Sequence, residues 1–93
     1  MRFREFDRNF SLGGKVFLVT GGAGGIGKVI GEFFASKGAR GTLADLSPEV
    51  VVTSARLGLE GVAVDLTSPD GPEHAVAFSL DKFGRLDILV NCA

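Results

Sequence analysis

The chain has 93 residues, 45% of them hydrophobic, and a formal net charge of −1 from 10 Lys and Arg against 11 Asp and Glu. One small domain is all that length provides, and the balanced charge argues against nucleic acid or an anionic membrane as partner. There is no Trp and no Tyr, so no tyrosine serves as a catalytic acid, and the single Cys92 excludes an internal disulfide framework or a multi-cysteine metal site.

Residues 1–11 read as a polar lead-in. Charges interrupt MRFREFDRNF throughout, so the apolar core of a secretory signal is missing. No window approaches the about 18 apolar residues of a membrane span, and a cytoplasmic location is expected. Lys15–Thr20 (KVFLVT) is the apolar, β-branched run of a buried strand. It leads straight into Gly21–Gly22–Ala23–Gly24–Gly25–Ile26–Gly27. The period then changes: Ile26, Val29, Ile30, Phe33 and Phe34 share one helical face. Lys37 and Gly38 close that helix.

A second strand is expected over Arg40–Asp45, although Gly41 weakens a strand unless something approaches closely. Ser47–Pro48–Glu49 opens a helix to about Leu57 with a hydroxyl cap, proline at N1 and an acid in the first turn. Gly61–Leu66 is the third strand. Ser68–Pro69 starts a helix to about Phe83 with Val76, Leu80 and Phe83 as its apolar stripe, and Leu86–Val90 is the fourth strand. Strands separated by helices must pair in parallel. Right-handed crossovers then put helices on both faces. The expectation is the first half of an α/β doubly wound parallel sheet, in spatial order 3-2-1-4.

Thr20–Gly27 is the chemically informative segment. At a strand–turn–helix junction, free N–H groups of the helix N-terminus meet phosphate oxygens. Gly21 permits the turn, Gly25 lets a pyrophosphate approach, and Gly27 lets the helix sit close to the sheet. Asp45 lies 18 residues beyond Gly27 at the end of the second strand. There a carboxylate accepts hydrogen bonds from both adenosine ribose hydroxyls and repels a 2′-phosphate; the competing reading is a solvated turn or cap residue. Asp65 suits the adenine amino group, with Leu66 packing on the ring, against a plain turn aspartate. Asn91 suits a tie between neighbouring loops, against an ordinary strand-end asparagine. Gly22–Lys28 fits the start of a triphosphate loop, but Val29 stands where the magnesium-binding hydroxyl is needed. Lys28, Glu32, Asp81 and Asp87 read as solvated charges, His74 as a surface residue and Cys92 as a small core residue.

These residues make the chain similar to the N-terminal part of the short-chain dehydrogenase/reductase family, from about Leu12 to Ala93. Thr20–Gly27 matches the family's T-G-x-x-x-G-x-G motif; Asp45 matches its NAD-selecting acid, followed by Leu46; Asp65–Leu66 match its adenine-contacting pair. Asp87–Ala93 (DILVNCA) resembles its N-N-A-G segment, with Cys92 in place of the second asparagine. The resemblance implies a partial NAD-binding Rossmann domain over 12–93. It implies cofactor contacts at Thr20, Gly21, Gly25, Ile26, Gly27, Asp45, Leu46, Asp65, Leu66 and Asn91, and no metal. It further implies hydride transfer between an alcohol and a carbonyl, with a homo-oligomer in the full-length form. Phe10–Ser11–Leu12 before Gly14–Lys15–Val16 is similar to polyol dehydrogenases. The family's catalytic Ser and Tyr-x-x-x-Lys follow its fourth strand. The expectation is therefore a chain truncated after that strand, inactive by itself, marginally stable, and with most of its NAD affinity lost. Two alternatives stay open: a non-catalytic dinucleotide-binding half-domain that needs a partner, and a gene remnant.

Overall fold

The computed structural model describes residues 11–92, so the lead-in read at 1–11 lies, but for Ser11, outside them. Strands and helices alternate: β1 Val16–Thr20, α1 Gly25–Ser36, β2 Arg40–Asp45, α2 Glu49–Arg56, β3 Glu60–Ala63, α3 Gly71–Phe83 and β4 Ile88–Asn91. All pairings are parallel and the order is β3-β2-β1-β4, as expected. Thr20 stands level with Ala44 on one side and Asn91 on the other, which brings the C-terminal ends of β1, β2 and β4 into one row.

Every residue of β1 is buried, as its apolar run requires. Strand alternation divides it between two cores. Phe17 and Val19 join Leu43, Val50 and Leu59 beneath α1 and α2. Leu18 joins Ala44 and Ala75 beneath α3. Helices therefore cover both faces. Full burial of a Phe or Leu stabilises by about 1.5–3 kcal/mol relative to exposure, and Phe17, Leu18 and Leu43 are all fully buried.

The helices use their faces differently from the sequence expectation. On α1 the buried positions are Gly27 and Gly31, with Ile30 and Phe34 packed against the core. Ile26 (73% exposed), Val29 (66%) and Phe33 (46%) face outward. The cause is close approach: a Cβ on Gly31 would stand 2.7 Å from Leu43 Cδ2. The helix docks through its glycines, as expected for Gly27, and the apolar positions Ile26, Val29 and Phe33 fall beside that face. On α3 the buried stripe is Gly71, Ala75 and Ser79, and Leu80 is exposed. Val76 packs on the core beneath the helix, and Phe83 lies under the Arg40 guanidinium, 5.3 Å from the ring centre.

Element boundaries also shift. β3 ends at Ala63, short of Leu66; Val64 N–H still reaches the Asp45 carbonyl at 2.8 Å, and Asp65 then turns the chain. Pro48 is the N-cap of α2 rather than its first helical residue. Ser68–Asp70 form a turn and α3 starts at Gly71, with Pro72 in its first turn, where the missing N–H costs nothing. β4 is shifted to Ile88–Asn91. Among the described residues no helix is long and apolar enough to cross a membrane.

Asp87 is exposed, as the sequence suggested, but it is not an idle charge. Its Oδ2 accepts the Val16 N–H at 2.9 Å and the Arg85 Nε–H at 2.9 Å, and its Oδ1 accepts from Arg85 at 2.7 Å. Its own N–H donates to the Val16 carbonyl at 2.8 Å. The side chain thus pins the start of β1 to the segment before β4. The Arg85 guanidinium, then the Val16 amide, hold its carboxyl below the usual carboxylate value. A depressed folded-state pKa gives stability that is complete above the unfolded value and lost as pH falls through the folded one. Asp87→Asn should therefore lower stability at neutral pH and flatten its decline below about pH 4; urea melts across pH 2–7 will check this.

Gly41 finds its reason in Phe17. The two are paired across β1 and β2, and a Cβ on Gly41 would lie 2.5 Å from the Phe17 ring. Phe17 in turn meets Phe34 edge to face at 5.3 Å. Gly41→Ala should destabilise by about 1–3 kcal/mol through overpacking. Phe17→Leu in that background should cost less than it does alone, a coupling that a double-mutant cycle in urea will measure.

Candidate dinucleotide site

The site begins where β1 runs out. Gly21 has φ 77°, a conformation that disfavours any side chain. It turns the chain so that Gly21 and Gly22 both donate to the Ala44 carbonyl, at 2.7 and 3.1 Å. Ala23 N–H donates to Asp45 Oδ2 at 3.0 Å, and Gly24 N–H returns to the Gly21 carbonyl at 3.3 Å. A Cβ on Gly27 would overlap that same carbonyl oxygen, and one on Gly22 would stand 2.6 Å from Leu43 Cβ. Sequence reasoning missed this packing role of Gly22; only the register of β2 under the turn reveals it.

The next N–H groups are free to serve a ligand. Among the described residues no acceptor meets the N–H of Gly25, Ile26 or Gly27, and Gly24 caps the helix without a side-chain bond. Helix N-termini leave such donors, and the helix dipole adds positive potential there. Space is available too, since nothing lies within 4 Å of where a Cβ on Gly25 would sit.

Asp45 closes the other side. Besides Ala23, its carboxylate accepts the Ser47 N–H on Oδ1 at 3.2 Å. A carboxylate offers about four lone-pair sites, so acceptor capacity remains. Leu46 beside it is 68% exposed. Asp65 lies past the end of β3 and is bonded within its own loop. Its Oδ1 accepts the Thr67 hydroxyl at 2.6 Å and the Thr67 N–H at 2.9 Å. The hydroxyl first, then the amide, hold this exposed carboxyl below its ordinary value. No hydrogen bond joins Asp65 to the turn or to the Asp45 side chain among the described residues. The Thr20 hydroxyl donates to Asn91 Oδ1 at 2.8 Å, which ties the ends of β1 and β4. A cavity of about 310 Å³ opens beside this pair, lined by Leu66, Thr67, Val76 and Leu89 among others. It lies on the α3 side of the sheet, and none of the glycines of the turn lines it.

Lys28, on the polar face of α1, is exposed, as is His74, whose Nε2 lies 3.8 Å from the Asp70 carboxylate. Cys92 is half-buried and packs on the core beneath α1. The family model for the short chain dehydrogenase matches residues 15–93. The chain belongs to that family. It is 36% identical to an NAD-dependent glycerol dehydrogenase of Listeria innocua, a match over 100% of this chain and 38% of that protein. It is 42% identical to a D-threitol dehydrogenase of Mycolicibacterium smegmatis, over 94% of this chain and 36% of the relative. Among solved structures, the RhlG/NADP active-site complex of Pseudomonas aeruginosa superposes with a TM-score of 0.79 at 38% identity, covering 90% of this chain and 36% of that one. The chain thus spans well under half the length of the relatives it matches.

In this family member the Thr20–Asn91 bond joins the C-terminal ends of β1 and β4. Thr20 is 8% exposed, and Thr20→Val keeps its shape while removing the hydroxyl. The variant should lose about 1 kcal/mol, seen as a lower urea midpoint at unchanged slope.

Proposed function

We propose that these residues form the adenosine-binding half of an NAD-dependent short-chain oxidoreductase, cytoplasmic and, in a longer form, homo-oligomeric. That longer form would move hydride between an alcohol and a carbonyl. The observation that carries the reading is the pairing of the Asp45 carboxylate with the three unpartnered N–H groups of Gly25, Ile26 and Gly27 across one hydrogen-bonded turn.

The donor set fits a dinucleotide. Gly25, Ile26 and Gly27 donate to pyrophosphate oxygens, with the positive end of α1 behind them. Asp45 accepts from the ribose hydroxyls with its remaining lone pairs, and its charge opposes a 2′-phosphate at that position. Leu46 and Leu66 offer apolar surface to the adenine, and the Oδ2 of Asp65 an acceptor for its amino group. Thr20 and Asn91 set the level of the strand ends on which the ligand rests. The nicotinamide, when bound, supplies the hydride. The 93 residues include no tyrosine; a longer form would supply the family's Ser and Tyr-x-x-x-Lys, and no turnover is expected from this segment alone. A polyol is the favoured alcohol: two relatives carry glycerol and D-threitol in their names, and the residues before β1 resemble polyol dehydrogenases. The cofactors named for relatives differ, NAD in one and NADP in another. Asp45 followed by Leu46 favours NAD here.

ADP-ribose and 2′-phospho-ADP-ribose separate the possibilities without needing catalysis. Calorimetric titration should show ADP-ribose bound at least about tenfold more tightly, the effect of placing a phosphate dianion beside a partly solvated carboxylate. Equal affinities would overturn the NAD assignment, and absence of binding by a longer form that includes these residues would overturn the dinucleotide reading itself.

A further inference from the structure

We propose that Asp45 is a positioning residue for the phosphate-binding turn, and not only a reader of the ribose. This rests on the dinucleotide reading above. The turn from Gly21 to Gly25 contains a single residue with a side chain, Ala23. A segment so rich in glycine has little local preference for one conformation, so something outside it must hold it. Two of its N–H groups, those of Gly21 and Gly22, are held by the Ala44 carbonyl. The third, Ala23, is held by the Asp45 carboxylate at 3.0 Å, across 22 residues of sequence. Gly24 follows, its N–H bonded only back to Gly21, and α1 starts at Gly25.

The same carboxylate reaches the other way. Its Oδ1 takes the Ser47 N–H at 3.2 Å, and the backbone of Asp45 is fixed by its pairing with Ala63 in β3 and by the 2.8 Å bond from Val64 to its carbonyl. One anchored side chain thus bridges the β1–α1 turn and the β2–α2 loop. It also spends the Ala23 N–H, which confines phosphate binding to Gly25, Ile26 and Gly27. Asp45 therefore sets where those donors point. Its removal should loosen the turn for every ligand rather than simply widen the choice of ribose.

The test uses a ligand that the ribose-reading role cannot sense. Wild type and Asp45→Ala are titrated with ADP and with 2′,3′-dideoxy-ADP, which keeps the adenine and diphosphate but has no ribose hydroxyls. The clamp predicts that Asp45→Ala weakens the dideoxy ligand by about tenfold, as expected for loss of a hydrogen bond to a charged group, and ADP by more. An unchanged affinity for the dideoxy ligand would overturn the proposal. Hydrogen exchange read by NMR on the unliganded protein gives an independent arm. In Asp45→Ala, the Ala23 and Ser47 amides should exchange about tenfold faster, while those of Val19 and Leu43 hold their rates. Unchanged exchange at Ala23 would sink the clamp. If wild type binds neither nucleotide, the exchange arm alone decides the clamp. Should Asp45→Ala not fold, Asp45→Asn serves. It has a single side-chain acceptor, so one of the two amides should lose protection; wild-type protection at both would overturn the proposal.

Discussion

Backbone passes against backbone at the C-terminal end of β1, and the geometry of the candidate site depends on that contact. Gly27 leaves no room for a Cβ beneath the Gly21 carbonyl, and Gly22 none beside Leu43. The first turn of α1 can therefore sit directly on the end of the sheet. Only in that position do its N–H groups follow a turn bonded to the end of β2. A methyl group at Gly27 would lift the helix and move its donors together.

The same principle governs the rest of the packing. α1 rests on Gly27 and Gly31, α3 on Gly71, Ala75 and Ser79, and the Phe17 ring on Gly41. Small residues bring the layers close, and the larger apolar side chains are displaced to the flanks. That leaves Val29 and Phe33 on α1, Leu80 on α3 and Leu89 on β4 exposed. β3 and β4 are the edges of the described sheet.

The two ends of the sheet carry carboxylates with opposite duties. At the N-terminal end, Asp87 is engaged with Val16 and Arg85, and both of its oxygens serve the fold. At the C-terminal end, Asp45 holds two loop amides and keeps capacity to spare. Asp65 lies in the exposed loop after β3, with one oxygen committed to Thr67. Their hydrogen-bond partners separate the three, although they look alike in sequence as acids near strand ends.

The sequence by itself determined the alternation of elements and the parallel order 3-2-1-4, and it points to the glycine turn as the candidate site. Each is written locally: in the unbroken run of β1, in the glycine spacing that follows it, and in crossovers long enough for a helix. Tertiary structure decided what depends on distant chain. It turned Ile26, Val29 and Phe33 of α1 outward, because the contact distance at the glycine face is set by Leu43, twelve residues beyond Gly31. It gave the exposed Asp87 a second role as the clasp of β1, because register puts it beside Val16, 71 residues away. It also ended β3 early, where the Asp65 side chain and Thr67 offer bonds that compete with the ladder. Helix and strand periods are visible in the chain, but the partner across a contact is not. For that reason the bridge from Asp45 to Ala23 emerges only from the folded molecule.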